Sequence, residues 1–323
     1  MPRKRAFLID TDTASDDAVA LIMALRAPDV NVVAITTVAG NVPVAQGSTN
    51  ALYTAELCGS DVPVYQGADR PLLREYVTAQ WFHGKDGLGD RNYPKPRRAV
   101  EPVHAVDAII AAVQANPGIT VVTLAPLTNL ALALRKAPEI VKNVGRCIVM
   151  GGNPCCEGNI TPAAEFNVYV DPEAAAVVLR SGLPVELVGW QLSRGEAALQ
   201  ISEIDRVLSM GTILGRFAIE CNSTAMEAYK TQTGETAICL PDPVAMAVAL
   251  DPGICTAAGA HYVDVEVSSE LTRGMTVVDR LDVAGDDRNR DVWRAVVDRV
   301  PRTIVCWEID IPAFKSALFT ALA

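Results

Sequence analysis

Apolar and polar positions along the chain follow two alternating patterns. Five short runs are apolar throughout and rich in Val and Ile, which predicts strands that are buried on both faces. Stretches with helical spacing lie between these runs, and Pro172 and Gly182 mark the two ends of one such helix. The alternation predicts an α/β fold with an open, mostly parallel, Rossmann-like sheet and helices on both faces. The predicted strands are residues 6–9, 30–38, 119–124, 147–150 and 184–188, and the predicted helices are residues 17–26, 44–57, 105–115, 127–136 and 172–181.

Beyond residue 188 the alternation is less regular, which predicts extra helices and a small antiparallel addition to the sheet. Residues 70–102 are rich in Gly, Pro and charge and predict a long functional loop. No linker-like segment divides the chain, so we expect a single domain over residues 1–323. The later predicted elements are helices at 203–229 and 243–250, strands at 262–267, 275–281 and 303–309, and a final helix.

Composition and charge exclude several classes of partner. Acidic residues outnumber basic ones by 38 to 28, and the net charge of −10 argues against a nucleic-acid polymer or an anionic membrane as the partner. No apolar run approaches the roughly 18–20 residues of a membrane span, and no signal peptide is indicated. The protein is therefore predicted to be cytoplasmic. Its eight cysteines include no Cys-x-x-Cys pair that would indicate zinc.

Four carboxylates fall within eight residues at the end of the first predicted strand, namely Asp10, Asp12, Asp16 and Asp17. They repel one another unless a positive charge lies among them, and this segment contains neither Lys nor Arg. A hard divalent cation with oxygen ligands is therefore predicted. The alternative interpretation is that one of these residues caps the following helix while the others are solvated.

Further polar residues follow the later predicted strands. Asn41 follows the second strand, and Asn159, Glu165 and Asn167 lie in a loop after the fourth. Ligands of α/β sheets bind beyond the carboxyl ends of the strands, so these side chains predict a site for a hydroxyl-rich ligand. Glu165 and Asn167 are predicted to project to one side of an extended segment. Glycine-rich phosphate loops are missing, which argues against a phosphate ligand.

Seven motifs occur in a characteristic order. They are Asp10-x-Asp12-x-x-x-Asp16-Asp17, Thr36-Thr37-x-x-Gly40-Asn41, His83-Gly84-x-x-Gly87, Pro126-Leu127-Thr128-Asn129, Met150-Gly151-Gly152, the run from Gly158-Asn159 through Glu165-Phe166-Asn167 to Asp171-Pro172-Glu173-Ala174, and Asp242-Pro243. Together they resemble those of the calcium-dependent, inosine-uridine preferring nucleoside hydrolases along nearly the whole chain.

This resemblance implies an enzyme that hydrolyses the N-glycosidic bond of ribonucleosides to a free nucleobase and ribose. It implies that Asp16 takes a proton from a water held by a calcium ion, that Asp10 has a structural role at the site, and that the protein is a homodimer or homotetramer with a small-molecule nucleoside as its partner. The calcium ligands that it implies are Asp12, Asp17, the backbone carbonyl of Thr128, and Asp242. The side chains that it implies around the ribose are Asn41, Met150, Asn159, Glu165 and Asn167.

The chain departs from the family pattern at two places. Thr13-Ala14 replaces the usual Pro-Gly turn, and because Ala tolerates a left-handed backbone poorly, we expect the turn to be altered. Pro241 replaces a His that assists departure of the base, so the group that protonates the base is left unassigned. Arg194 is an unusual charge without an assigned role. Side chains predicted to contact the base are Trp81, His83, Tyr229 and Trp190.

Two other functions are compatible with parts of the pattern. A nucleoside- or ribose-binding protein that has lost turnover would keep the metal site, but it would not need Asp16 as a base. An aspartyl-nucleophile phosphatase also has an Asp-x-Asp pair after its first strand. That class needs Thr or Val in place of Ala14, and it leaves Asp16 and Asp17 unexplained.

Overall fold

The computed structural model describes residues 4–323 except the side chain of Arg290, and its centre is one sheet of nine strands. The strands are β1 (Arg5–Thr11), β2 (Val30–Thr37), β3 (Val64–Gln66), β4 (Ile119–Thr123), β5 (Val144–Met150), β6 (Val185–Val188), β7 (Cys255–Val265), β8 (Thr276–Val278) and β9 (Arg302–Ile309). Their order in the sheet is β3-β2-β1-β4-β5-β6-β9-β7-β8. Strands β1 to β6 and β9 pair in parallel, whereas β7 is antiparallel to β9 and to β8. The predicted α/β fold with an antiparallel addition is confirmed.

Helices cover both faces of this sheet. They are α1 (Ser15–Arg26), α2 (Val44–Leu57), α3 (Gln80–His83), α4 (Ala105–Ala115), α5 (Thr128–Lys136), α6 (Phe166–Val170), α7 (Pro172–Leu179), α8 (Ile201–Ser209), α9 (Ile213–Cys221), α10 (Ser223–Thr233), α11 (Pro241–Leu250), α12 (Arg290–Val297) and α13 (Ile311–Leu322). Within residues 4–323, none of them combines the length and apolar content that crossing a bilayer requires.

Two hydrophobic layers enclose the sheet, and β1 contributes to both. Phe7 and Ile9 pack into the layer that contains α1, α2, α11 and α13. Leu8 packs into the opposite layer, with α4, α5 and α7. Because successive side chains of a strand point to opposite faces, an uninterrupted apolar run is the pattern that burial on both faces requires. Because the strands are parallel, their carboxyl ends lie at the same edge of the sheet, and the two hydrophobic layers pack on either side of it.

Three parts of the observed fold differ from the prediction. Strand β3 has only three residues at the sheet edge and α3 only four, too few to give a periodic signal. Strand β7 begins at Cys255, earlier than predicted, because its first half is made of small residues on a partly exposed surface. The helical region predicted at 203–229 is divided into α8, α9 and α10, with breaks at Gly211, whose φ is 68°, and at Asn222.

The prediction that Glu165 and Asn167 lie on an extended segment is wrong. Asn167 belongs to α6, and Glu165 is the residue that caps this helix. Its carboxylate accepts hydrogen bonds from the backbone N–H groups of Asn167 at 3.0 Å and Val168 at 3.4 Å. The aromatic and β-branched residues of α6 favour a strand locally, but the carboxylate satisfies the free N–H groups of a helical turn.

Candidate active site

A cavity of about 370 Å³ opens at the carboxyl edge of the sheet, within the range of roughly 300–1,000 Å³ that is usual for small-molecule sites. The predicted site residues that line it are Asp16, Asn41, Trp81, His83, Met150, Asn159, Glu165, Asn167, Trp190, Tyr229 and Asp242. The other predicted site residues, Asp10, Asp12, Asp17 and Thr128, are almost completely buried. Side chains from distant parts of the chain thus meet at one cavity.

Three carboxylates form a buried cluster at this cavity, and two of them, Asp16 and Asp242, line it. Asp16, Asp17 and Asp242 each present a carboxylate oxygen within 4.8 Å of the others. They lie in the first turns of α1 and α11, which pack against each other, and a helix N-terminus favours negative charge. Burial raises the pKa of Asp16 to about 6; burial and the charge of Asp16 raise the pKa of Asp17 to about 6. Burial and the neighbouring carboxylates raise the pKa of Asp242 well above its ordinary value.

Asp12 adds a fourth carboxylate. It packs so closely against Gly40 that a larger residue does not fit at position 40. Its Oδ2 accepts the backbone N–H of Asn41 at 2.5 Å, and its Oδ1 accepts the side-chain amide of Asn41 at 3.2 Å. A Cβ atom on Gly40 would lie 2.0 Å from Asp12 Oδ2, so this position requires glycine. Burial, followed by the charge of Asp17, raises the pKa of Asp12 well above its ordinary value.

No Lys or Arg of the described chain forms an ion pair with these four carboxylates. The basic side chain that approaches this cluster is His83, whose Nδ1 lies 3.8 Å from Asp16 Oδ1. That same Oδ1 is buried without a hydrogen-bond partner among residues 4–323. Buried carboxylates need pairing or a metal, and a set of oxygen donors suits a hard cation. The cluster therefore fits a divalent metal ion.

Asp10 and Thr128 are held by neighbouring side chains. Asp10 Oδ1 accepts hydrogen bonds from the Thr36 hydroxyl at 2.6 Å and the Asn129 amide at 2.9 Å, which ties β1 to β2 and α5. Burial raises the pKa of Asp10 to about 7, while these two hydrogen bonds oppose the rise. The hydroxyl of Thr128, the first residue of α5, donates to Asp171 Oδ2 at 2.6 Å.

The turn after Asp12 does not require a left-handed backbone at Ala14. Ala14 is extended, with φ −97°, and the positive φ of 24° falls on Thr13. The Thr13 N–H donates to the Thr11 hydroxyl oxygen at 3.0 Å, and the Ala14 N–H donates to Asp17 Oδ2 at 2.9 Å. These bonds hold the turn that presents the carboxylates, so the expected penalty at Ala14 is absent.

Amide and carboxylate groups line the wall next to the cluster. Glu165 Oε2 accepts the backbone N–H of Gly152 at 2.7 Å. Burial raises the pKa of Glu165 to about 7, although the hydrogen bonds from backbone N–H groups lower it. The Asn167 amide donates to the Leu124 carbonyl at 3.1 Å and approaches the Met150 sulfur at 3.3 Å. Asn159 Oδ1 accepts the N–H of Phe166 at 2.9 Å. Both α6 and the loop before it are therefore fixed by the side chains that line the cavity.

Aromatic residues also line the cavity. Trp81 is 54% exposed, and its ring lies edge-on to Phe82 with 5.5 Å between the ring centres. The Tyr229 hydroxyl donates to a Glu235 carboxylate oxygen at 3.2 Å. The Trp190 indole N–H donates to the Glu157 carbonyl at 2.9 Å. Trp81 is exposed, Trp190 is half-buried and Tyr229 is buried, and rings that line a cavity offer flat faces for a planar ligand.

His83 is also buried and is tied to α1. Its Nδ1 is 2.8 Å from the Ser15 hydroxyl oxygen, and the ring of Phe82 packs against it with 4.9 Å between centres. Burial lowers the pKa of His83 to about 4, while the charge of Asp17 opposes this shift. The imidazole is therefore neutral at neutral pH.

Several lining residues were not singled out from the sequence. Phe82, Glu157, Phe166 and Cys239 also border the cavity, and so does Arg194, which had no assigned role. Phe82 could have been found from its place between Trp81 and His83. Cys239 and Glu157 gave no local signal, since a single Cys or Glu in a loop is usually a packing or surface residue.

An α/β fold with a buried, metal-competent carboxylate cluster beside a polar and aromatic cavity defines a class of proteins that bind a metal ion and a small molecule. Comparison with known proteins specifies the class further. The inosine-uridine preferring nucleoside hydrolase of Crithidia fasciculata is 38% identical over 283 residues, which are 86% of this chain and 88% of that protein. The pyrimidine-specific ribonucleoside hydrolase RihA of Citrobacter koseri is 36% identical over 288 residues, 88% of this chain and 91% of that protein. The fold matches a plant nucleoside hydrolase, the PpNRh1 enzyme, with a TM-score of 0.90 and 31% identity over 98% of each chain.

Residues 7–316 match the inosine-uridine preferring nucleoside hydrolase family. The chain belongs to this family, as its motifs indicated, and it is a hydrolase that acts on N-glycosyl bonds. The relatives carry different base preferences in their names, so membership alone does not assign the base.

Proposed function

We propose that this protein hydrolyses ribonucleosides to a free nucleobase and ribose, with calcium as its resident cofactor. One observation carries the proposal: the buried cluster of Asp16, Asp17 and Asp242 borders a cavity that amide and aromatic side chains also line. A ribonucleoside has the matching polarity, with a hydroxyl-rich sugar at one end and a flat base at the other. The cluster and the amide wall receive the ribose, and the rings receive the base.

Calcium is the cation that we propose for the cluster. Its ligands would be Asp12, Asp17, Asp242 and the backbone carbonyl of Thr128, a set of oxygen donors that suits calcium's tolerance for irregular geometry. When bound, calcium would neutralise the carboxylates and orient the ribose hydroxyls and the attacking water. The donor chemistry fits, because the carboxylates have no compensating Lys or Arg among the described residues.

Asp16 is the general base in this proposal. Its Oδ1 lacks a hydrogen-bond partner in the described chain, whereas both oxygens of Asp12 already accept from Asn41. Asp16 also lines the cavity. Asp16 is therefore the carboxylate best able to accept a proton from water.

Glu165 and Asn167 stabilise the sugar as the bond to the base breaks. Positive charge develops on the ribose in a transition state of oxocarbenium character, and oriented carboxylate and amide dipoles favour that charge. The backbone N–H of Gly152 and the carbonyl of Leu124 fix the two side chains from behind. Little reorganisation is then needed at the moment of reaction.

The phosphatase alternative finds little support in this geometry. Its nucleophile would be Asp10, which is completely buried and bonded to Thr36 and Asn129. A nucleoside-binding protein without turnover would not need an unpartnered Asp16 oxygen at the cavity. Hydrolysis accounts for both observations.

The test is release of ribose from a panel of purine and pyrimidine ribonucleosides, assayed with calcium and with a chelator. Asp16→Asn should lower kcat by about 10²–10⁴-fold, the usual contribution of a general base, with a smaller change in KM. Asp107→Asn is the matched control. Asp107 lies on α4, is exposed, and pairs with Lys136 of α5. Chelation should abolish turnover in the wild type.

Each failure has its own meaning in this assay. No ribose from any nucleoside would contradict the hydrolase function. An Asp16→Asn variant that changes KM but not kcat would assign Asp16 to sugar binding, and the same panel with Asp12→Asn would then test Asp12 as the base. Turnover that survives chelation would contradict the role of calcium.

A further inference from the structure

The proposed hydrolysis needs a group that stabilises the departing base, and the position before Asp242 cannot supply it. Pro241 lines the cavity but has no side-chain or backbone N–H donor. Of the three histidines, His83 lines the cavity with its Nδ1 bonded to Ser15. His104 caps α4, and His261 is bonded to the Asp279 carbonyl. Among the described residues that line the cavity, the one Lys or Arg is Arg194.

Arg194 is a cation that lines the cavity and is held in place by two neighbours. Its guanidinium forms an ion pair with the Glu157 carboxylate. The same group stacks on Trp190, with its carbon 4.7 Å from the ring centre. The Trp190 indole N–H in turn donates to the Glu157 carbonyl. These three residues fix one another, and the Arg194 side chain stays 34% exposed, accessible to a ligand.

A short segment connects Arg194 with the carboxylate cluster. The Cys239 thiol donates to the carbonyl of Ser193, the residue before Arg194, at 3.4 Å. Burial raises the pKa of Cys239 to about 11; the charge of Arg194 opposes the rise and the charge of Asp16 adds to it. Asp242 lies three residues beyond Cys239, a span of at most about 10 Å. Arg194 and the cluster residues Asp16 and Asp242 line the same cavity of about 370 Å³, so a single ligand that fills this cavity faces both.

We propose, on the basis of the proposed hydrolysis, that Arg194 is the residue that selects the base and that it favours 6-oxopurine ribonucleosides such as inosine and guanosine. A guanidinium has five N–H donors in a planar fork and no acceptor, so its donors can serve Glu157 and a ligand together. O6 and N7 of a 6-oxopurine are two adjacent acceptors, which an arginine fork binds in pairs. Adenine presents an amino donor in place of O6, which opposes the fork.

The same contact stabilises the leaving group. As the bond between C1′ and N9 breaks, its electron pair stays on the purine, and the water oxygen forms the new bond to C1′ while its proton passes to Asp16. Arg194 keeps its own protons, because a guanidinium does not deprotonate in proteins. The base departs as an anion that is hydrogen-bonded at O6 and N7, and it takes a proton from solvent after release.

The test compares kcat/KM for inosine, guanosine and adenosine with that for 4-nitrophenyl β-D-ribofuranoside, a riboside whose leaving group lacks purine acceptors. In Arg194→Met, the ratio of inosine to the nitrophenyl riboside should fall roughly 10- to 100-fold, the discrimination of a good bidentate contact. The ratio for adenosine should change less than threefold. Arg206→Met is the matched control, because Arg206 stacks on Phe319 outside the cavity.

Arg194→Lys keeps the positive charge but not the planar fork of the guanidinium, and it should also lose most of the inosine preference. Thermal unfolding of each variant verifies that the variant is folded. A fall of less than tenfold for inosine in Arg194→Met, or an equal fall for adenosine, would overturn the inference. A wild type that hydrolyses the nitrophenyl riboside but no purine riboside would also overturn it, with hydrolysis retained. A wild type that hydrolyses no riboside at all would overturn the proposed function, and the inference with it.

Discussion

Two regions of this protein bury acidic side chains, and they compensate the charge in different ways. Asp264 on β7 is 6% exposed, and both its oxygens accept hydrogen bonds from Arg180 at 2.8 Å. Arg299 adds a further bond at 3.1 Å. The cluster of Asp16, Asp17 and Asp242 is as deeply buried and has no Arg or Lys partner in the described chain.

The difference shows how the fold separates structure from function. At Asp264 the buried acid has a structural role and a neighbouring element supplies the cation: Arg180 follows α7 and pairs across to β7. At the carboxyl edge of the sheet, the chain supplies further acids instead. Uncompensated buried charges are costly, so this region is stable only with protons or a metal ion.

The largest expected effect is on the pH dependence of stability in metal-free protein. Burial raises the pKa of Asp10 and of Glu165 to about 7, whereas the unfolded values lie near 4. Between about pH 4 and pH 7 the folded state therefore binds more protons than the unfolded state, and stability rises as the pH falls. We expect the free energy of unfolding in urea to be several kcal/mol higher at pH 5 than at pH 7.5.

The double variant Asp10→Asn/Glu165→Gln should flatten this slope. Saturating calcium should also reduce it, because a cation competes with protons for the cluster. A metal-free wild type whose stability rises from pH 5 to pH 7.5 would contradict the description of this region.

A smaller effect is expected where the acid is already paired. Arg180→Met leaves Asp264 buried with Arg299 as its remaining cation, which should destabilise the protein by about 1–3 kcal/mol, the cost of a buried polar group that loses its partner. Arg302→Met removes an exposed pair with Asp282 and should cost less than about 1 kcal/mol. Equal losses of unfolding free energy in the two variants, measured in urea, would show that the burial of Asp264 does not strengthen its ion pair.

The smallest expected effect on stability is a gain instead of a loss. Asp242→Asn removes a buried charge that repels Asp16, Asp17 and Asp12, so the metal-free variant should be more stable than the wild type at pH 7.5, by about 1 kcal/mol. The same variant should gain no stability from calcium. A metal-free Asp242→Asn protein that is less stable than the wild type would mean that this carboxylate is compensated by other groups.

The sequence predicted the sheet better than the cavity, for physical reasons. Strands such as β1 and β4 are buried on both faces, so each residue carries the signal. Asp16 and Asp17 were found because they lie close together after a strand, but Asp242 was assigned through the family resemblance alone. The turn at Asn167 was predicted wrongly, because the Glu165 carboxylate outweighs the local strand preference of α6.

Trp81, Trp190 and Tyr229 were predicted from their residue type, whereas no signal indicated Cys239. Trp81, Trp190, Tyr229 and Cys239 come from four separate segments, and only tertiary packing brings them together. Arg194 was noticed as an unusual charge, but its partner Glu157 lies 37 residues away. Pairings at such separations leave no periodic trace in one sequence. The single-domain organisation and the oligomeric state stay predictions.

Direct measurement of calcium binding tests the central claim, that the uncompensated cluster is built for a cation. Equilibrium dialysis of metal-free protein with radioactive calcium at pH 7.5 should show one ion per chain for the wild type and for Arg180→Met. Asp17→Asn should bind no calcium at the same concentration. Absence of binding to the wild type, or equal binding by Asp17→Asn, would contradict the account.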